Sequence, residues 1–289
     1  MTADKTTDTS AHGAAVASDH AAAGRPSGGA PSGGPQSGRP PYGGPFRGAV
    51  AAEWAKLWSV RAPYVCLVAG LVATGVFTFY YGSIARINDH PVQPVGHAAI
   101  SSTVLVQFAV VVLAMLTVTS EYTTTSMSSS LLWVPVRHRV QLAKALVTAL
   151  VFFTAGTVFT ALGTAVAWGP FSGHASFDAG ETAGQVVAVG VYYALIAVMT
   201  VGVSFATRHA AGALTVLLAL LWALPSMLVG LGGPVLLAIN DWLPHSAGDI
   251  LMRGGAGTPY SPATALLVLL AWTLAAHLTG LYLLRRRDA

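Results

Sequence analysis

From residue 63 onward the chain alternates long apolar runs with short polar ones. The apolar runs cover 63–85, 98–120, 145–168, 184–206, 210–231 and 262–284. The hydrocarbon core of a bilayer is roughly 30 Å thick and takes about 20 apolar residues in helical form. Each run is therefore predicted to be a transmembrane helix. Strands of a membrane barrel would be about 10 residues long with strict alternation, and that pattern is absent. Pro63 suits the first turn of the first helix, where its missing N–H costs nothing. Pro225 predicts a kink in the fifth.

Ahead of these runs the pattern changes twice. In 48–62 (GAVAAEWAKLWSVRA), Val50, Trp54, Leu57 and Trp58 fall at i, i+4, i+7 and i+8, which is one face of a helix. Glu53 and Lys56 are expected on the other face. Trp favours the headgroup zone, so this segment is predicted to be an amphipathic helix lying flat on the membrane. Residues 1–47 are dominated by Gly, Pro, Ser, Ala and Thr. They have little to bury and are predicted to form a disordered tail. They lack the apolar stretch of a cleaved leader.

Composition agrees with the pattern. Only 9% of the 289 residues are charged and mean hydropathy is +0.62, against about 25% charged residues in a soluble domain. The net charge is +4, yet the basic residues sit at helix ends, where lipid and topology account for them better than nucleic acid does. A single cysteine, Cys66, lies inside an apolar run. One chain can build no disulfide and no zinc site from it.

Lys and Arg gather on the cytoplasmic side of membrane proteins. With the N-terminus inside, Lys56, Arg61, Arg137, Arg139, Lys144, Arg208, Arg285, Arg286 and Arg287 are cytoplasmic, while Arg86 and Arg253 are outside. The expected arrangement is six spans with both termini in the cytoplasm. The domain plan is then a tail (1–47), a surface helix (48–62) and a six-helix membrane domain (63–289).

The predicted spans hold no Asp, Glu, Lys or Arg. An ion-coupled transporter places ionisable groups at mid-membrane, and a cation channel needs an acidic ring or a carbonyl filter. His277 is the one histidine in the spans, and a lone packed histidine is no relay. No G-x-x-x-x-G-K-[ST] run is present: Gly70 and Gly75 have the glycine spacing, but Val76 stands where Lys belongs. Gly202-Val203-Ser204-Phe205-Ala206 lacks the last Gly of a nucleophile elbow. No catalytic set, cofactor site or metal site is predicted.

The stretch 119–144 (TSEYTTTSMSSSLLWVPVRHRVQLAK) is unlike the other connections. Glu121 suits the first turn of a helix. The hydroxyl-rich run leads to Leu131, Leu132, Trp133 and Val134, an apolar cluster outside the bilayer that needs a cover. Pro135 stops the helix, and Arg137, Arg139 and Lys144 follow. Either this is an ordinary loop with orienting charges or it is a docking helix for a cytoplasmic partner.

This stretch resembles the permease subunits of type-2 ABC exporters. Their pattern here runs roughly E-Y-x-x-G-T-I-R-x-S-L-x-x-P-x-R-x-x-x-x-x-A-K. Glu121-Tyr122, Ser129-Ser130-Leu131, Pro135, Arg137, Arg139 and Ala143-Lys144 match it in order, with Thr125 in place of the Gly and Ser128 in place of the Arg. The run E-W-x-K-L-x-S-V-R-A at 53–62 is similar to the family's elbow helix. Asp241-Trp242-Leu243-Pro244 with Ser246-Ala247-Gly248 resembles its last extracellular segment, and 285–289 resembles its R-R-R-D-A ending.

The resemblance implies a bacterial plasma-membrane permease that pairs as a homodimer or heterodimer on a separate ABC ATPase and itself hydrolyses nothing. It implies a cytoplasmic coupling helix between the second and third spans, carrying Glu121, Tyr122, Leu131, Leu132, Trp133, Pro135, Arg137, Arg139 and Lys144. Arg208 would form a second contact with the ATPase. The elbow helix, with Glu53, Trp54, Lys56, Leu57 and Trp58, would join them. The competing expectation is a six-helix scaffold, assembly factor or immunity protein without an ATPase.

Overall fold

The computed structural model describes residues 46–123, 137–254 and 257–286. The tail assigned to 1–47 falls almost wholly outside them, as do Leu131, Leu132, Trp133 and Pro135. Six helices are long and apolar enough to cross a membrane: Ala62–Ile87, Thr103–Tyr122, His138–Ala167, Ala179–Thr207, Ala210–Leu231 and Pro262–Leu283. The chain therefore has the build of a multi-pass, all-α membrane protein, with its backbone groups satisfied within helices as hydrocarbon requires.

In chain order the elements are α1 (Phe46–Trp58), α2 (Ala62–Ile87), β1 (Gln93–Pro94), α3 (Gly96–Ser101), α4 (Thr103–Thr123) and α5 (Arg137–Ala167). Next come β2 (Ala175–Ser176), α6 (Ala179–Thr207), α7 (Ala210–Leu218), a wide π turn (Ala219–Ala223) and α8 (Leu224–Leu231). The last are α9 (Pro234–Asp241), α10 (Pro244–Arg253) and α11 (Pro262–Arg286). The two short strands pair in parallel, Gln93 opposite Ala175. They tie the loop after α2 to the loop after α5.

Burial separates central helices from peripheral ones. Over half of the apolar stretch of α4 and of α6 is buried (56% in each), against 22% for α2. α6 is the hub, packed on α4, α5, α10 and α11. Small residues allow the close approach, as in other helix pairs within membranes. A Cβ on Gly202 of α6 would lie 2.7 Å from the His277 amide nitrogen of α11, and one on Gly156 of α5 would lie 3.0 Å from the Gly190 Cα of α6. α2 turns one stripe of small residues inward (Gly70, Thr74, Thr78, Gly82) and leaves Val68, Val72, Val76 and Phe79 exposed.

Five features depart from the sequence reading. The expected span 98–120 is broken at Ser102 into α3 and α4; the Ser101 and Ser102 hydroxyls donate to the Ala98 and Ala99 carbonyls, each at 2.6 Å. Such local bonds compete with the helical ladder. In the fifth span, Pro225 follows a π turn rather than sitting at a simple kink, because the wider turn accommodates a residue that donates no bond. The expected helix 48–62 is Phe46–Trp58, with a turn before α2. The third span, expected from 145, lies in a helix that begins at Arg137, so the basic residues before 145 are helical and not in a loop. Two short helices, α9 and α10, follow the fifth span where no helix was expected.

Candidate functional site

The last turn of α4 carries Glu121, the second turn of α5 carries Lys144, and α1 carries Glu53 and Lys56 one turn apart. The structure brings these four charges together. Lys144 Nζ donates to Glu53 Oε2 at 2.5 Å, to Glu121 Oε1 at 2.8 Å and to the Thr117 carbonyl at 2.9 Å. Those three bonds use every donor an ammonium has. Lys56 Nζ donates to Glu53 Oε1 at 2.9 Å and Glu121 Oε1 at 3.0 Å. The ring therefore alternates acid and base, and each charge touches two of opposite sign.

Burial makes this ring unusual. The Lys144 side chain is 1% exposed, Glu121 9% and Glu53 10%, while Lys56 is 46% exposed. A charge taken out of water costs several kcal/mol unless opposite charges and hydrogen bonds replace the solvent. Burial alone would lower the Lys56 pKa, but its bonds to Glu53 and Glu121 outweigh that and hold it above the usual lysine value. Glu121 Oε2 is buried and meets no hydrogen-bond partner, so both ammoniums lean on Oε1.

The surroundings are apolar. Leu57 is 6% exposed and belongs to the main core. Beside the ring lies a cavity of about 580 Å³ between α1, α2, α4 and α5. Trp54 and Trp58 meet edge-on with ring centres 5.8 Å apart, and Trp58 lies 5.4 Å from Tyr64. One residue past Glu121, the Tyr122 ring lies under the Arg208 guanidinium, 5.9 Å from its centre. Arg208 reaches it from the tight turn between α6 and α7, where it takes a left-handed backbone (φ 63) and its N–H bonds the Ser204 carbonyl. His209 then caps α7, its Nδ1 accepting from the Gly212 amide at 2.9 Å.

Several expectations are corrected here. Glu53 does not share a solvent face with Lys56; it is buried at one turn from Leu57 on the side of α1 that packs against α5, and Trp54 (43% exposed) points away. The reason is Lys144, whose charge attracts Glu53 inward. Lys144 is not a loop charge but a buried residue of α5. Glu121 lies at the end of a helix, where it complements cations and not a helix start. Arg139 is half-buried in the first turn of α5, and Arg137 begins that helix, its side chain outside the described residues. The sequence reading missed the Thr117 carbonyl and Gln141, whose amide donates to the His277 carbonyl of α11 at 2.8 Å.

It also missed a second polar cluster, at the opposite end of the bundle. There Tyr192 donates to Gln107 Oε1 at 2.8 Å, and Gln185 Nε2 donates to Glu181 at 3.3 Å while its Oε1 finds no partner. His97 of α3 also has an unpartnered ring nitrogen, Nε2. Arg253 Nε donates to Asp249 Oδ1 at 2.6 Å within α10. Burial holds the His97 pKa below the usual value, with Arg253 adding to the effect and Asp249 opposing it. Burial likewise lowers His245, again opposed by Asp249. Among the described residues no group of His, Cys, Asp and Glu could hold a metal ion. Compared with known proteins, the chain matches no family model and no curated relative.

Proposed function

We propose that the chain is the membrane-spanning permease subunit of an ATP-driven exporter of the type-2 ABC class, working as one half of a dimer on a separate ATPase. Both termini lie in the cytoplasm of a bacterial plasma membrane in this reading. The observation that supports it best is the ring of Glu53, Lys56, Glu121 and Lys144. It ties α1, the end of α4 and the start of α5 into one unit, at the two helix ends that flank the segment 124–136. A partner that pushes on 124–136 then tilts three helices together and not a loop. Rigid-body tilting of this kind is a familiar way to convert a partner's closure into opening of a pathway. The Arg208–Tyr122 contact brings the α6–α7 turn into the same unit.

The charge bias of the sequence supports the orientation. With Cys66 replaced by Ala, a single cysteine at Ser172 is expected to react with an impermeant thiol reagent added outside cells, and one at Ser129 is not. The reverse labelling would invert the topology. For the function, the chain extracted in mild detergent is expected to bring with it an ATPase carrying a Walker motif. Trp133→Ala with Arg137→Ala is expected to weaken that association about tenfold or more, because aromatic and Arg residues dominate interface energetics. Insertion of six helices should be unchanged. If no ATPase accompanies the chain and the double substitution changes nothing, a scaffold without an ATPase is the better account.

A further inference from the structure

We propose that the cavity beside the ion ring is a binding site for an anionic phospholipid, with an acyl chain inside and the phosphate at its mouth. The proposal concerns lipid alone and does not depend on the exporter reading. The cavity has about 580 Å³, inside the range of about 300–1,000 Å³ typical of small-molecule sites. The pocket is open on one side, so an acyl chain from the surrounding lipid can enter it. Among the described residues its apolar wall is formed by Leu57, Val60, Pro63, Leu113, Leu116 and Val147. Such a wall offers water few partners and favours hydrocarbon.

Its depth fits a lipid. The lining comes from the first turn of α2, the last turns of α4 and the second and third turns of α5. These are the places where spans pass from hydrocarbon to headgroups. Trp58 and Tyr64, in contact next to it, are the residues that mark that boundary. The lining charges Glu53, Lys56, Glu121 and Lys144 cancel. The charge that selects a headgroup is therefore Arg61, exposed between the lining residues Val60 and Ala62. A cationic mouth over an apolar pocket suits an amphiphile with a negative head.

The test uses the full chain in nanodiscs of equal phosphatidylglycerol and phosphatidylcholine, followed by mild extraction and native mass spectrometry. The expected result is phosphatidylglycerol retained by the wild type. Leu116→Asp puts a carboxylate on the half-buried part of the wall and is expected to lower retention about tenfold, a loss equal to one decade in affinity. Arg61→Gln is expected to abolish the preference for phosphatidylglycerol while leaving lipid bound. Because Leu116→Asp could unfold, a photo-crosslinking residue at the exposed Val60 gives a second measurement. Capture of phospholipid there supports the proposal. Capture of the chain's own first 45 residues or of a second copy overturns it, as does absent retention, retention equal in Leu116→Asp, or equal retention of the two lipids by the wild type.

Discussion

The two ends of the bundle solve the same problem with different chemistry. Around α1, α4 and α5, three buried charges and the half-exposed Lys56 are paired into a closed ring. Around α3, the start of α4, α6 and α10, the polar groups are mostly neutral: the buried Gln107, Gln185 and Tyr192 and the half-buried His97. Several of their atoms lack partners. A charged ring is strongly favoured once complete and strongly disfavoured if one member leaves, because the remaining charges sit in a poor solvent. A neutral cluster loses about 0.5–1.5 kcal/mol per bond, so its members can exchange partners cheaply. The first end is built to hold one geometry and the second to tolerate several.

The largest test of the contrast is Lys144→Met. It leaves Glu53 and Glu121 buried and facing each other, with only the half-exposed Lys56 between them. The expected loss is about 3–5 kcal/mol, read as a fall in the unfolding midpoint in detergent. Neutralising the acids as well, in Lys144→Met/Glu53→Gln/Glu121→Gln, is expected to restore much of it, because the lone charges are then gone. A triple variant as unstable as the single one would mean that Lys144 matters for its packing and not for its charge. Glu121→Gln alone is expected to cost less than Lys144→Met, since Oε1 still accepts and only one acid of the pair is lost.

At the other end the corresponding substitution is Tyr192→Phe. The side chain is 1% exposed, so the change removes one bond to Gln107 and leaves that amide oxygen without a donor. The expected cost is about 1–3 kcal/mol, the desolvation penalty of a stranded acceptor. Tyr192→Phe/Gln107→Leu is expected to recover part of it. If Tyr192→Phe costs as much as Lys144→Met, the two ends are equally rigid and the contrast fails.

How much of this was legible beforehand depends on the kind of signal. Spans are written in continuous runs, and length alone identifies them, so α2, α4, α5, α6, α7 with α8, and α11 lie close to where hydropathy places them. Breaks within a run are written in single residues. Ser102 divides α3 from α4 by a hydroxyl bond that hydropathy does not register. The ion ring was least legible. Glu53 and Lys144 are 91 positions apart in sequence, and a helical-face argument sorts every Glu into the solvent face by default. What the sequence did hold was a hint: two acids and two lysines beside the ends of spans, Glu53 with Lys56 and Glu121 with Lys144. Arg208 was visible as a basic residue in a tight turn, but its contact with Tyr122 depends on how α6 crosses α4. The neutral cluster gave no warning, because Gln, Tyr and His scattered through apolar runs look like ordinary packing.

The smallest effects separate the ends by pH. At the neutral end, His97 and His245 are held below the usual histidine value, mainly by burial. Their folded pKa values lie below their unfolded ones. The neutral forms therefore favour the fold above about pH 6.5, and that contribution is lost as pH falls through the folded values. Asp249 and Arg253 are the charges that face His97, so His97→Gln is expected to flatten the acid limb of a stability profile while Asp249 and Arg253 stay in place. At the charged end the sign reverses. Lys56 is held above the usual value by Glu53 and Glu121. Its contribution is complete below the unfolded lysine value of about 10.4 and is lost as pH rises through the folded one. Because the side chain is 46% exposed, Lys56→Gln is expected to cost only about 0.2–1 kcal/mol at neutral pH, as solvated ion pairs do. It should flatten the alkaline limb. Unfolding midpoints between pH 5 and pH 11 for the wild type, His97→Gln and Lys56→Gln check both signs in one series. An alkaline limb that responds to His97→Gln would show that the two ends are coupled, and the division between a fixed end and a yielding one would have to be abandoned.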